Sequence, residues 1–213
     1  MKPWSLLLAD DHDIVLAGLR QVLDQPDFEI VGAVKDGRAL VETARELRPD
    51  VIITDVTMPL LNGMDAAKQI RSFSPKIRII FLTMHSDAGY ALEALQLGNC
   101  GYVLKSSVAD ELIPAIYRVL EGGSYMARAI AETVGKMKDA RPREQARGVE
   151  RLTSRQREVL QLLAEGHPVK EIAFTLKVSP RTVEFHKYRI MDELGVRSVA
   201  ELVRSAMSLG ILK

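Results

Sequence analysis

Three carboxylates, one hydroxyl and one ammonium fall at the ends of apolar runs in the first half of the chain. Asp10 and Asp11 follow Ser5–Ala9, Asp55 follows Val51–Thr54, Thr83 follows Ile77–Leu82, and Lys105 follows Gly101–Leu104. Adjacent carboxylates such as Asp10 and Asp11 disfavour each other's ionised form, so either water screens them or a cation belongs beside them. A hard divalent cation suits the set: Mg2+ takes a few carboxylate oxygens, keeps several waters and also binds phosphate. A carboxylate can also act as a nucleophile and form an aspartyl-phosphate. Asp55, alone at the end of the central run, is the best candidate. Lys105 would then pair with the phosphoryl oxygens, and Thr83 would donate a hydrogen bond to one of them. Taken singly, each Asp is an ordinary loop or cap residue and Lys105 a solvated lysine. The convergence of all five carries the weight.

Short strands alternating with helices must position these groups. Phe28–Val34 is a fifth apolar run, and helical spacing between runs appears in Val15, Leu19, Val22 and Leu23 and in Leu40, Val41, Ala44 and Leu47. Near-continuous apolar strands alternating with helices predict a parallel sheet covered on both faces. In such a sheet, ligands bind outside the carboxyl ends of the strands. The last helix of this half spans Ala109–Leu120, with Pro114 awkwardly inside it and Gly122–Gly123 as a stop.

The composition then changes. Residues 137–150 have few apolar side chains and contain Pro142 and Gly148, which reads as an exposed linker, with Ala127–Met137 as a short helix before it. The expected division is a first domain over 1–125, a linker over 126–147 and a second domain over 148–213. From Leu152 the pattern is all helical. Thr153 or Ser154 caps one helix, Pro168 opens a short second one, Ser179 and Pro180 begin a third that runs to about Leu194, and Ser198 caps a fourth. A short helix, a tight turn and a longer helix suggest a helix-turn-helix, although periodicity alone fits a small bundle for protein contacts equally well.

At 100° per residue, Val183, Ile190 and Leu194 form the core face of the third helix, with His186 at its edge. Arg181, Glu184, Phe185, Tyr188 and Asp192 point away, with Thr182 and Arg189 on one flank and Lys187 on the other. Two aromatics on an exposed face want a partner. Phe185 can contact a thymine methyl, and Glu184 can accept from cytosine N4–H2. His186 reads as packed or phosphate-facing rather than as a metal ligand.

The length of 213 residues suits two domains, and 47% apolar with 27% charged residues is ordinary for a globular protein. The net charge of +1 hides an acidic first half and a mildly basic remainder. The single Cys100 excludes an internal disulfide and suggests a reducing compartment. No apolar run approaches the roughly 20 residues of a membrane span. The apolar stretch after Lys2 meets Asp10 and Asp11 too early for a signal peptide. A cytoplasmic protein with no membrane partner is expected.

The segments "LLLADDH", "DVIITDVTMPLLNGMD", "IIFLT" and "GYVLKS" resemble the receiver domain of bacterial response regulators over about residues 4–123. The segments "LTSRQREVLQLLAEG" and "KEIAFTLKVSPRTVEFHKYRIMDELGV" resemble the LuxR-type helix-turn-helix, so nearly the whole chain is similar to the NarL/FixJ family. The resemblance implies an α/β receiver, a doubly wound five-stranded parallel sheet of order 2-1-3-4-5, followed by an all-α four-helix helix-turn-helix domain. It implies that Asp55 accepts a phosphoryl group from a sensor histidine kinase. It implies Mg2+ held by Asp11, Asp55 and the backbone carbonyl of Thr57, with Asp10 acting largely through water. Thr83 and Tyr102 match the family's switch pair, whose ring turns inward on phosphorylation. Pro59 and Asn62–Gly63 supply turn chemistry in a loop that closes over the metal. Residues Arg181–Arg189 would enter the major groove of double-stranded DNA, and Val199–Leu209 would pair two subunits of a homodimer.

One departure stands out. Position 184 is often basic in the family and is Glu184 here, while Asp192 and Glu193 replace a Lys-rich end. Phosphate anchoring then falls on Arg181, Lys187 and Arg189. These acids keep an alternative open, a phosphorylation-independent regulator or protein-interaction module. A phosphohydrolase using Asp55 is a third reading, but no substrate pocket is evident, and no enzyme activity is expected.

Overall fold

The computed structural model describes residues 2–84, 88–131 and 152–212. The chain divides into two compact units, Met1–Arg141 and Pro142–Lys213. In the first, β1 (Trp4–Ala9), α1 (Asp13–Val22), β2 (Phe28–Val34), α2 (Gly37–Leu47), β3 (Val51–Asp55), α3 (Gly63–Phe73), β4 (Arg78–Thr83), α4 (Ala88–Leu97), β5 (Cys100–Leu104) and α5 (Val108–Leu120) alternate in order. A two-residue strand, β6 (Tyr125–Met126), closes the unit. Every pairing is parallel, and the order is β2-β1-β3-β4-β5-β6.

Strand side chains alternate between faces, so one sheet feeds two cores. Leu7, Ile52, Ile79 and Phe81 pack with Leu40, Ala44, Met64, Ile70 and Ala91 of α2, α3 and α4. Leu6, Leu8, Ile53 and Ile80 pack with Leu19, Leu112 and Ile116 of α1 and α5. The strands are apolar on both faces because both faces are covered. Pro114 lies within α5 on its exposed side, together with exposed Asp110. The carbonyl of Asp110, left without its usual donor, can therefore be met by water, and the helix continues.

The sheet has six strands where five in the order 2-1-3-4-5 were expected, and the sixth lies at the end of the first expected domain. Met126, expected in the linker, lies in β6, and the Ala127 amide donates to the Tyr102 carbonyl at 2.9 Å. Ala127 and Ile130 are fully buried in the core that holds Tyr102 and Ala91. Burial of those two apolar side chains stabilises the segment against the sheet. The remainder of the expected linker, and the far end of the helix expected over Ala127–Met137, lie outside the described residues.

In the second unit, α6 (Ser154–Ala164), α7 (Val169–Thr175), α8 (Pro180–Leu194) and α9 (Val199–Ser208) enclose a small core of Val159, Leu160, Leu162, Ile172, Val183, Ile190, Leu202 and Ala206. The expected boundaries of α6, α8 and α9 have local causes. Thr153 and Gln156 form a capping box at α6, Ser179 accepts from the Thr182 amide at α8, and Ser198 caps α9. Gly195 ends α8 in the left-handed region at φ 66°. Between α7 and α8 the Val178 amide donates to the Ala173 carbonyl at 3.0 Å, which closes the tight turn.

Candidate functional site

The carboxyl ends of β1, β3, β4 and β5 bring Asp10, Asp11, Asp55, Thr83 and Lys105 to one edge of the sheet. Asp10 is fully buried and Asp55 nearly so. The side chain of Lys105, the first residue after β5, is 7% exposed; its Nζ lies 2.6 Å from Asp10 Oδ2 and 2.9 Å from Asp55 Oδ2. The ammonium thus bridges carboxylates from two other strands and reaches over the end of β4. Two buried carboxylates are stable there because a cation sits between them.

Asp11 is partly exposed beside them. Oxygens of Asp10, Asp11 and Asp55 and a ring nitrogen of His12 all lie within 4.8 Å of one another, close enough to share a cation. His12 is the residue that sequence reasoning passed over. Its Nδ1 lies 3.1 Å from Asp10 Oδ1 and 3.0 Å from Asp11 Oδ1, and its amide donates to Asp10 at 2.9 Å. A histidine directly after two carboxylates was the available signal. Thr83 ends β4 at 8% exposed, one residue beyond Leu82, the register partner of Asp55. Tyr102, at 1% exposed, lies inside the fold with its ring centroid 6.1 Å from that of Phe81.

The loop after β3 is tied down residue by residue. The Val56 amide donates to the Leu82 carbonyl at 3.0 Å, the Thr57 amide reaches Asp55 Oδ1 at 3.4 Å, and the Gly63 amide donates to the Val56 carbonyl at 2.8 Å. The expected turn role of Asn62–Gly63 is replaced by two others. Asn62 is the N-cap of α3, accepting from the Asp65 amide at 2.8 Å and donating to Asp65 Oδ2 at 3.0 Å. Gly63 is needed for close approach, since a Cβ there would lie 2.0 Å from the Asp55 carbonyl oxygen. The left-handed residue of the loop is Leu60, with φ 63°.

In the second unit, α8 buries Val183 and Ile190 and leaves Phe185 58% and Tyr188 65% exposed. Arg181 and Arg189 are exposed, and Thr182, Glu184, His186 and Lys187 are half-buried. The cations fold over their neighbours. Lys187 Nζ lies 2.6 Å from Glu184 Oε2 and 5.2 Å from the Tyr188 ring centroid, and the Arg189 guanidinium lies 5.8 Å from that of Phe185. Burial, together with the charge of Arg155, holds His186 below the ordinary imidazole range, which favours its packed, neutral reading.

Residues 6–117 match the model of the response regulator receiver domain, and residues 150–206 match that of the bacterial regulatory proteins of the luxR family. The chain belongs to the response-regulator family, with a receiver domain followed by a LuxR-type regulatory domain. It is 34% identical to the transcriptional regulatory protein MctR of Rhizobium johnstonii, covering 97% of this chain and 94% of that protein. It is 30% identical to the response regulator GacA of Pseudomonas aeruginosa, covering 98% and 97%. Among solved structures, RcsB of Salmonella enterica serovar Typhimurium, bound to a promoter in the presence of the phosphomimetic BeF3-, aligns with a TM-score of 0.65. That alignment has 30% identity and covers 97% of this chain and all of that one. No helix among the described residues is long and apolar enough to cross a membrane.

Proposed function

We propose that phosphorylation of Asp55 by a sensor histidine kinase controls binding of α8 to specific sites on DNA, and through it transcription. The observation that carries the reading is Lys105 Nζ held between Asp10 and Asp55 at the carboxyl edge of the sheet. An ammonium so placed meets the phosphoryl oxygens once Asp55 carries them. An Asp55 oxygen forms the new bond to phosphorus while the bond from phosphorus to the kinase histidine breaks, and the imidazole leaves with the shared electron pair. The donor set fits a divalent cation: three clustered carboxylates, with the Thr57 carbonyl two residues beyond Asp55. Mg2+, when bound, would neutralise charge on the transferring group. Asp11, Asp55 and the Thr57 carbonyl would hold it, with Asp10 acting largely through water. The Thr83 hydroxyl would donate to a phosphoryl oxygen. Tyr102, 1% exposed, would be the aromatic member of the switch.

The output is α8 in the major groove. Arg181 and Arg189 anchor phosphates, and Thr182, Glu184, Phe185, Lys187 and Tyr188 face the bases. Half-exposed Val199 and Met207 on α9 support pairing of two subunits on DNA, as a homodimer. RcsB, with its DNA-bound structures, is the relative that favours this reading. The protein works in the cytoplasm, where its kinase and DNA are reached. The domains are the receiver over 1–125, extended by the docked segment to Ile130, and the LuxR-type domain over 148–213.

The test is incubation with acetyl phosphate and Mg2+, followed by intact-mass measurement. Wild type should gain one phosphoryl group and Asp55→Asn should gain none. Equal labelling of the two proteins would sink the assignment.

A further inference from the structure

The face of α8 turned away from the core carries an acid. A lone carboxylate beside DNA phosphates costs affinity through like-charge repulsion. Glu184 is not alone: Lys187 Nζ lies 2.6 Å from its Oε2, with the two side chains 18% and 39% exposed. The same ammonium lies 5.2 Å from the Tyr188 ring centroid, a further attraction that holds it against this face. The pair therefore offers an acceptor and a donor side by side, with no net charge.

A C·G base pair offers the complement of that arrangement in the major groove. Cytosine N4 donates, and guanine O6 and N7 accept. A carboxylate has about four lone-pair sites, so the bond from Lys187 leaves room for N4–H. On the reading that α8 enters the major groove, we infer that Glu184 and Lys187 form one base-reading unit. It selects cytosine under Glu184, with the ammonium turned to the guanine of the same pair. Thymine O4 or guanine O6 under Glu184 would set acceptor against acceptor and is rejected. Adenine is the nearest competitor, because its N6 also donates. Its N7 needs a donor that glutamate lacks and glutamine supplies. Glu184 is thereby a specificity determinant, and its lysine partner prevents the acid from repelling DNA.

The experiment is selection from a random double-stranded DNA pool by the full chain treated with acetyl phosphate and Mg2+, in parallel with Glu184→Gln. Both proteins are first compared by thermal melting; the half-buried Glu184 is replaced by a side chain of the same shape, so melting within about a degree or two is expected. Wild type should enrich a two-half-site motif with cytosine at one fixed position in each half. Glu184→Gln should shift that position to adenine, with cytosine preference falling about tenfold and the other positions unchanged. An unchanged motif in Glu184→Gln, or a wild-type motif lacking the fixed cytosine, overturns the inference and leaves the DNA-binding reading standing. Failure of wild type to enrich any motif overturns both.

Discussion

Replacing Lys105 by Met tests the bridge at the strand ends. In the wild type one ammonium lies 2.6 Å from Asp10 and 2.9 Å from Asp55. At an effective dielectric constant of about 20, each contact is worth about 6 kcal/mol before desolvation is counted. Desolvation of three buried groups cancels most of that, so the useful number is the cost of deleting one partner. Removing one member of a buried pair costs about 3–5 kcal/mol, because the remaining charges stay buried and uncompensated. Here two carboxylates are left facing each other, which puts Lys105→Met at the upper end of that range. A domain of this kind is stable by about 5–15 kcal/mol, so the variant should be far weaker yet able to fold. A second cation can substitute. At a Mg2+ concentration about 100 times its dissociation constant, binding stabilises the native state by about 2.7 kcal/mol. The mutant, lacking the competing ammonium, should gain more from Mg2+ than the wild type. Urea unfolding followed by fluorescence of Trp4, the one tryptophan, reports the first unit within the full chain. A loss below about 1 kcal/mol, the scale of an exposed pair, or an equal Mg2+ gain in both proteins would refute the bridge as drawn.

Other perturbations follow the same logic. Ile130→Ala removes a fully buried side chain from the segment after β6 and should cost the first unit about 2–5 kcal/mol in the same urea assay; an exposed linker residue would cost almost nothing. Gly63→Ala sets a methyl 2.0 Å from the Asp55 carbonyl oxygen, so the loop must move. Labelling of Asp55 should slow, with about 1–3 kcal/mol of stability lost, and unchanged labelling would show that the close approach is not needed. The depressed folded-state value of His186 means that the unfolded chain binds its proton more readily. Stability of the second unit should therefore fall as pH drops through the ordinary value of about 6.5 and below. His186→Gln should flatten that part of a melting-temperature profile, and an identical profile would contradict the assignment.

The strand-end residues were legible because a parallel sheet buried on both faces writes its strands as unbroken apolar runs. A polar residue closing such a run then marks the functional edge. Asp55, Thr83 and Lys105 needed no more than that. The helix ends of the second unit were legible through Thr153, Ser179, Gly195 and Ser198, whose side chains or backbones act locally. Less legible was β6, since two residues have no period to detect and its pairing with Gly101 and Tyr102 depends on contacts distant in sequence. Ala127 and Ile130 looked like linker residues because the core they join is built from elements distant in sequence. The inward face of α6 was hidden differently. Arg157, Glu158 and Gln161 are at most 7% exposed, although such residue types are rarely buried. Arg157 donates to the Leu152 carbonyl and Gln161 to Glu165, so their polar ends are satisfied locally while their stems pack. The Glu184–Lys187 pair was half visible: the spacing of three permits it, but only the rotamers show that the lysine is engaged.

In the proposed function, phosphorylation at the carboxylate edge of the first unit sets the DNA affinity of α8 in the second. The most direct test of this coupling is the affinity of the full chain for its selected DNA site, measured by fluorescence anisotropy at fixed salt with and without acetyl phosphate and Mg2+. Labelling should tighten binding in the wild type and leave Asp55→Asn unchanged. A wild-type sample fully labelled at Asp55 that binds the site with unaltered affinity would contradict the coupling.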